Sequence, residues 1–239
     1  TYKPTTDSDR SISFQLGSGV KIYGGFPTGG GDWALRDPLT NITTLSGDIN
    51  DTPSDTADDS LHVIYGNGLD SSTIVDGFTI TSGNASGGTS LEWEWGGGMY
   101  CYQCDLALEN IKFVKNEGKA GAGLFVNYGN PVLSNVEFVD NVASINGGGM
   151  HTHNGAKPIL TDVIFSGNEA VNGGGLMNYL NNDSVLTNVQ FLDNYAWSSG
   201  GGIFNASGSD PFLNDVVFSG NDAYQGGGMY NSNSNPILT

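Results

Sequence analysis

Six oxygen-bearing side chains lie close together before residue 60. They are Asp48, Asn50, Asp51, Asp55, Asp58 and Asp59. Carboxylate and amide oxygens are the hard ligands that Ca²⁺ prefers. Their spacing differs from that of the EF-hand loop, and acidic surface loops are common, so a solvated loop without a metal is the alternative. This segment is therefore the candidate metal site, with calcium as the expected ion and no other cofactor required.

Two histidines and two cysteines form further candidate sites. His151 and His153 flank Thr152, so on a strand both would point to the same side, as the first ligands of a zinc site. No third ligand in a matching position is evident, and surface histidines are the simpler interpretation. Cys101 and Cys104 have the spacing of a redox pair but lack a strand–helix–strand context. We interpret them as structural, either a local disulfide or two thiols.

Catalysis on polysaccharides would need carboxylates arranged as acid and base around the bond to be broken. The two arginines, Arg10 and Arg36, lie outside the regular part of the sequence, and Lys112, Lys115 and Lys119 fall in one repeat. No group of aspartates recurs beside these cations. We therefore expect no catalytic residue and predict that the chain is not an enzyme.

The elements that position these side chains come from an internal repeat, the pattern to be sought first. Three phrases recur in step: a glycine phrase beginning at Gly96, Gly121, Gly147, Gly173, Gly200 and Gly226, a Phe-x-x-Asn phrase at Phe113, Phe138, Phe165, Phe191 and Phe218, and a Leu-x-x-[Val/Ile] phrase at Leu108, Leu133, Leu160, Leu186 and Leu213. Each unit contains short apolar pieces with strand alternation and no helical spacing. Stacking such units buries Leu on Leu, Val on Val and Phe on Phe. The repeat predicts an all-β solenoid, a parallel β-helix with coils of about 26 residues and three short strands per coil.

The glycines and asparagines of these phrases are expected to be architectural. Glycine permits positive φ and a close approach of neighbouring backbones. The asparagine of each Phe-x-x-Asn phrase can bond the same residue in the next coil, forming a ladder. Asp162 and Asp215, which alternate with asparagine at the bend after each leucine, suit a turn better than catalysis.

The chain divides into two parts by the regularity of its repeats. Residues 96–239 carry the regular β-helix repeats, whereas residues 1–95 are predicted to form irregular N-terminal coils with long loop excursions. We expect one continuous domain of about nine coils. Neither end resembles a capping unit, so we expect the chain to be a fragment of a longer polypeptide, with ends open to pairing.

A row of large side chains follows the glycine phrases. Alignment of the repeats places Tyr100, Phe125, His151, Met177, Phe204 and Tyr230 directly after the apolar residue of each phrase. Alternation points this position away from the buried neighbour and predicts an exposed stripe. Such a stripe could stack on sugar rings, with Asn178, Asn205 and Asn231 as polar partners, or contact another subunit. The alternatives are that the stripe packs beneath a loop or lines the core.

The paired phrases Phe-x-x-Asn and Gly-Gly-x-[Ile/Leu/Met] resemble the polymorphic outer membrane protein repeat. The resemblance covers residues 96–239. It implies a right-handed parallel β-helix of the pectin-lyase-like superfamily, and a secreted or cell-surface location on the outside of a bacterium. The superfamily includes many polysaccharide lyases and hydrolases, so a polysaccharide-degrading or polysaccharide-binding protein is the alternative to a structural or adhesive one.

Charge and composition exclude several partners. The 8 basic residues against 25 acidic ones give a formal net charge of −17, which disfavours nucleic acids and anionic membranes. No apolar run approaches the roughly 18 residues of a membrane span, so we expect no membrane insertion of this segment. The 37 glycines do not recur every third residue, which excludes collagen. We expect self-association or another surface protein as the partner, with carbohydrate as a further possibility.

Overall fold

The computed structural model describes residues 1–52, 55–87 and 91–239. These residues form a parallel β-solenoid, and the strands of each coil pair in parallel with the equivalent strands of the next. Four short helical segments occur within the described ranges: Trp33–Leu35, Thr56–Asp58, Ala85–Gly87 and Leu91–Glu94. The all-β fold class predicted from the repeat is confirmed.

The strands of the irregular part are short. They are β1 (Phe14–Leu16), β2 (Lys21–Tyr23), β3 (Thr43–Ser46), β4 (Ile64–Asn67), β5 (Ile74–Asp76) and β6 (Phe78–Thr81).

The regular part contains three kinds of strand in strict rotation. They are β7 (Met99–Tyr102), β8 (Ala107–Val114), β9 (Glu117–Ala120), β10 (Leu124–Asn127), β11 (Val132–Val139), β12 (Val142–Asn146), β13 (Met150–His153), β14 (Ile159–Ser166), β15 (Glu169–Asn172), β16 (Leu176–Tyr179), β17 (Val185–Leu192), β18 (Tyr195–Ser199), β19 (Ile203–Ala206), β20 (Phe212–Ser219), β21 (Asp222–Gln225), β22 (Met229–Ser232) and β23 (Ile237–Leu238).

Three parallel sheets run along the solenoid. Sheet A stacks β2, β5, β8, β11, β14, β17, β20 and β23, with β3 and β6 beside them; sheet B stacks β1, β4, β7, β10, β13, β16, β19 and β22; sheet C stacks β9, β12, β15, β18 and β21. The expectation of nine coils was too high. Within the described residues five coils carry strands of all three sheets, because the N-terminal coils replace the sheet C strand by loops.

Continuous ladders of identical side chains fill the interior. The rings of Phe113, Phe138, Phe165, Phe191 and Phe218 stack nearly parallel, with centroids 4.7 to 5.2 Å apart. The leucines and valines of the third phrase belong to the same buried cluster. Each coil thus buries its apolar face only against its neighbours, as the repeat predicted.

The predicted asparagine ladder lies beside the phenylalanines. The amide nitrogens of Asn116, Asn141, Asn168 and Asn194 each donate to the Oδ1 of the asparagine one coil further on, at 2.9 to 3.0 Å. The second N–H of each of these amides donates to a main-chain carbonyl of a preceding coil. The buried amides are therefore fully used in holding the turn, which is the architectural role expected of them.

The three glycines of one phrase meet three different requirements. Gly147 has a φ of +61°, which a side chain rarely adopts. A Cβ on Gly148 would lie 2.5 Å from the carbonyl oxygen of Glu169 in sheet C, and one on Gly149 would lie 2.8 Å from the ring of Phe165. The triplet therefore combines a sharp turn with close packing on both of its sides.

A left-handed residue divides each eight-residue strand of sheet A. This position is occupied by Asn110, Asn135, Asp162, Asn188 and Asp215, with φ between +51° and +56°. Asparagine and aspartate tolerate this conformation better than other side chains. The expectation that these residues form a bend rather than a catalytic row is thus consistent with the backbone.

Candidate functional site

The predicted stripe points away from the main core, but it is not exposed as a whole. Tyr100, Phe125, His151 and Met177 are buried, and Phe204 and Tyr230 are half-buried. Their neighbours Met99 and Leu124 belong to the main core, whereas Tyr100 and Phe125 form a separate cluster. The facing predicted from alternation is therefore right, and the predicted exposure is wrong.

One reason for this burial repeats in every regular coil. The turn from sheet C into sheet B folds back over the stripe, so that its first glycine lies against the stripe side chain. A Cβ on Gly147 would lie 2.9 Å from the Cβ of His151, and one on Gly173 would lie 3.1 Å from the Cβ of Met177. The glycine phrase that permits the turn thus also helps to cover the stripe.

A second reason is local to the first regular coil. Trp95 forms a β-bridge with Ala120, and its ring centroid lies 4.6 Å from that of Phe125. Tyr65 stacks on Tyr100 at 5.4 Å. The irregular segment that precedes the repeats therefore supplies aromatic cover to the beginning of the stripe.

The asparagines that follow the stripe point into the coil. Asn178 and Asn205 are fully buried; the amide of Asn178 donates to Asn205, and that of Asn205 to Asn231, both at 2.8 Å. Thr152 and Ser184 complete the ladder by donating to Asn178 at 2.7 Å. The prediction that Asn178 and Asn205 serve as polar partners for a sugar on the stripe is therefore wrong, whereas Asn231 in the last coil is exposed.

The interpretation of His151 as a surface residue is also wrong, and His153 is half-buried. His151 is buried, and neither of its ring nitrogens has a hydrogen-bond partner among the residues that the structure describes. Burial, with a smaller contribution from His153, lowers the pKa of His151 to about 3. His153 is half-buried, stacks on Tyr179 at 5.4 Å and has its pKa lowered by burial. Both rings thus belong to the packed face of sheet B in their neutral forms.

The acidic segment uses most of its side chains within itself. Asp58 accepts hydrogen bonds from Asn50 and Thr52, which lower its pKa. Asp48 accepts from the Thr52 amide at 2.8 Å, and Asp55 caps the short helix that follows it. Asp51 pairs with Lys3 at 2.6 Å. In the described part of the chain no three His, Cys, Asp or Glu side chains converge as a metal site, and calcium binding by this segment stays a prediction.

Asp59 differs from its neighbours because its side chain is buried. Burial, together with the nearby charges of Asp48, Asp58 and Glu117, raises the pKa of Asp59 to about 7 against the opposing charge of Arg10. Arg10 also donates to the main-chain carbonyl of Asp59 at 2.6 Å. Arg10 therefore holds the acidic segment by its main chain, beside a buried carboxyl group whose pKa lies near neutral pH.

Cys101 and Cys104 lie in the main core at the end of β7. The structure joins them as a disulfide across three positions of the chain. They are fully buried, and this placement agrees with the structural interpretation rather than with a redox site, which must be accessible.

Most of the cations are engaged with carboxylates. Ion pairs join Lys3 to Asp51, Arg36 to Asp76, Lys112 to Glu137, Lys119 to Glu94 and Lys157 to Asp183. The Arg36 pair is nearly buried at 2.6 Å, and Arg36 also donates to the Gly24 carbonyl and lies over the rings of Tyr23 and Trp33. Arg10 and Arg36 thus fasten loops of the irregular part.

Two cavities lie on the irregular side of the molecule. One, of about 210 Å³, lies between the loop around Leu39 and the outer face of sheet A, and Lys112, Glu137 and Asn110 line it. The other, of about 930 Å³, opens at the N-terminal coil beside Phe14. Only the first brings a base and a carboxylate together, as the pair Lys112–Glu137 at 3.0 Å.

An exposed aromatic group lies on sheet C, where the sequence analysis did not place one. Trp197 is 64% exposed and Tyr224 is 86% exposed. Both follow a paired alanine, Ala196 and Ala223, and therefore point outward. The signal was present in the pieces "YAW" and "DAY", in which an alanine is flanked by larger residues. It was missed because the aromatic residues occur only in the last coils.

No family model, no curated protein and no solved structure matches this chain. The resemblance to polymorphic outer membrane protein repeats therefore depends on the two motifs, and what the structure adds to it is the parallel β-solenoid. Within the described ranges, no helix has the length and apolar character needed to cross a membrane.

Proposed function

We propose that the chain is a secreted or cell-surface module, structural and adhesive, which contacts its partner through the outer face of sheet C. One observation carries the proposal: three strands of this face present large apolar side chains to solvent. They are β12 with Val142 and Ile145, β18 with Trp197, and β21 with Tyr224. Exposed apolar patches on soluble proteins often mark interaction sites.

The scaffold beneath this face supports the proposal. On the inner side of sheet C, Ala143 and Ala170 form a buried cluster with Ala122, and Ala196 is fully buried. The phenylalanine and asparagine ladders repeat through the same coils. A face built on such a scaffold is held rigid before any partner arrives, which reduces the entropic cost of binding.

The motif resemblance extends the proposal to a right-handed coil and to the outer surface of a bacterium. The charge of −17 favours neutral or cationic partners. We propose that the module has no catalytic role, in keeping with the use of Arg10 and Arg36 to fasten loops.

Bead adhesion tests this proposal. Beads coated with the chain would be washed over surfaces coated with mucin, with chitosan and with serum albumin. A variant with Val142, Ile145, Trp197 and Tyr224 all changed to Ser serves as the comparison, after circular dichroism has shown that it melts as the wild type does. We expect wild-type beads to be retained on at least one surface and variant beads to be released. Equal retention of both beads on every surface would contradict the proposal.

A polysaccharide-degrading enzyme is the second candidate, and the 210 Å³ cavity with Lys112 and Glu137 is the observation that favours it. The test is incubation with polygalacturonate and with neutral glucans, with and without Ca²⁺, followed by detection of unsaturated products and of reducing ends. Turnover that is lost in Lys112→Ala and Glu137→Gln would establish this candidate and remove the non-catalytic part of our proposal.

A further inference from the structure

The exposed aromatic group of sheet C is flanked by carboxylates. The strand register aligns Glu169, Tyr195 and Asp222 in one column along the solenoid axis. Trp197 and Tyr224 point outward from the same two last strands. The rings of Tyr195 and Trp197 lie edge to face at 5.2 Å. We call these five residues the sheet C patch.

One carboxylate of the patch touches a ring directly. The indole N–H of Trp197 donates to Oε1 of Glu169 at 2.8 Å, which fixes the ring on the sheet surface and leaves most of it open to solvent. Neither Glu169 nor Asp222 takes part in any of the ion pairs found in the described residues. The patch therefore combines open aromatic rings with two carboxylates that form no ion pair within the described ranges.

This combination selects a particular ligand chemistry. Aromatic faces attract cations and pack against flat apolar surfaces, while the carboxylates of Glu169 and Asp222 pair with positive charge and repel anions. A pyranose ring that carries an ammonium group offers both an apolar ring face and a cation. The geometry points to a glycan with free amino groups, a polymer of glucosamine units, as the ligand that we propose for the sheet C patch.

The shape of the surface favours a glycan over a basic peptide. Trp197 is 64% exposed and Tyr224 is 86% exposed, so both rings present open faces, whereas peptide side chains gain most of their binding energy by filling pockets. A flat sugar ring needs no pocket to stack on an open indole. Neighbouring strands lie about 4.8 Å apart, so that rings on β18 and β21 can meet successive units of an extended chain.

This inference rests on the proposed function, because it names the partner of the same sheet C face. Calorimetry at pH 6 in low salt tests it, with the glucosamine hexamer as the probe. The neutral N-acetylglucosamine hexamer, polygalacturonate and hexalysine are the comparison ligands. The variants are Trp197→Ala, Trp197→Phe, Tyr224→Ala and Glu169→Gln, with Tyr128→Ala as a control at an exposed tyrosine outside the patch.

We expect the glucosamine hexamer to bind and Trp197→Ala to weaken it by about fivefold or more, with Trp197→Phe restoring part of the loss. Glu169→Gln and added salt should weaken it as well, whereas Tyr128→Ala should leave it unchanged. The acetylated hexamer should bind more weakly, and polygalacturonate should not bind. Equal melting temperatures of the variants exclude loss of the fold.

Three results would overturn the inference: no binding of the glucosamine hexamer to the wild type, unchanged binding in both Trp197→Ala and Tyr224→Ala, or equal and equally Trp197-dependent binding of hexalysine, which would identify a surface for basic peptides. The bead experiment separates this inference from the proposed function. Retention on mucin that disappears in the quadruple variant, without binding of the hexamer, would preserve the adhesive face and reject the amino glycan.

Discussion

The outer faces of sheets B and C both carry aromatic side chains, which are largely buried on sheet B and largely exposed on sheet C. The face of sheet B holds Tyr100 and Phe125 in a buried cluster beneath Trp95, whereas the face of sheet C presents Trp197 and Tyr224 to solvent. Both sets follow the same alternation along a strand. The difference arises from what crosses each face: the glycine turn and the irregular segment cover sheet B, and neither covers the last strands of sheet C. Facing and exposure are therefore separate properties in a solenoid.

Removal of one ring from each face should give the largest contrast. Phe125→Ala is expected to lower the free energy of unfolding by about 3 to 5 kcal/mol, because it opens a cavity in a packed cluster. Trp197→Ala should change it by no more than about 0.5 kcal/mol, because its ring is already in water. Urea denaturation followed by circular dichroism measures both. Similar losses in the two variants would show that the faces do not differ as described.

Removal of Trp95, which covers the outer face of sheet B, should make that face more exposed and so more like the face of sheet C. Trp95→Ala is expected to cost about 2 kcal/mol, since it exposes part of the apolar surface of Phe125 and Tyr100. The variant should also bind more of a hydrophobic dye than the wild type does. Trp33→Ala, at an exposed tryptophan of a distant loop, provides the matched control. Dye binding by Trp95→Ala no greater than that of the wild type would mean that the glycine turns alone are sufficient cover.

Acid should distinguish the faces because only sheet B buries a histidine. The pKa of His151 falls from 6.5 in the unfolded chain to about 3 in the fold, so the unfolded chain binds the extra proton between these values. The stability that His151 contributes is complete above pH 6.5 and is lost as the pH falls toward 3. We compare the free energies of unfolding of His151→Met and the wild type. When the pH is lowered from 7 to 4.5, we expect this difference to shift by about 2 kcal/mol in favour of the variant. An identical difference at both pH values would contradict the buried, neutral ring.

The smallest expected effect concerns the N-terminal end of the sheet C face, where the acidic segment contacts the solenoid. There Thr56 of the acidic segment reaches Glu117 at 3.4 Å, beside the buried carboxyl of Asp59. Because the pKa of Asp59 is raised to about 7 from 3.8, its contribution is complete below pH 3.8 and is lost as the pH rises through 7. The free energy of unfolding of the wild type should therefore fall by about 1 kcal/mol between pH 4 and pH 8, a value reduced for solvent screening. Asp59→Asn should not show this fall.

Hydrogen exchange of the acidic segment at pH 6 and pH 8 checks the same point locally. The amides around Asp59 should exchange faster at pH 8 in the wild type, after correction for the intrinsic rate, and should show no such change in Asp59→Asn. Unchanged protection in the wild type would show that this carboxyl does not control the segment.

The sequence predicted the periodic properties of the molecule and missed the properties that depend on a single coil. Phe165 and Asn168 recur in step with their equivalents, so their ladders could be predicted from spacing alone. Trp95 is part of no repeat, and a lone residue gives no signal that it will cross a neighbouring face. The inward direction of Asn178 was predictable from the alternation that places Met177 outward, but its polarity favoured an external role. Trp197 was missed because the equivalent positions in earlier coils, Lys119, Ser144 and Val171, carry no aromatic residue.

The asparagine-to-asparagine hydrogen bonds of the buried ladder all run in one direction along the solenoid axis, so the two ends of the ladder differ chemically. The main-chain N–H of Asn116 and the amide N–H of the same residue both donate to Oδ1 of Asn141, and the same double contact fixes the next amides in one orientation. In every asparagine-to-asparagine contact of this internal column the N–H therefore points toward the C-terminal end, while the amides of Asn135 and Asn188 on the outer bend point the other way. One end of the buried column thus offers oxygens and the opposite end offers hydrogens. A further coil, or a second copy, could continue the column only by joining unlike ends, an arrangement that extends a fibre instead of closing a symmetric pair.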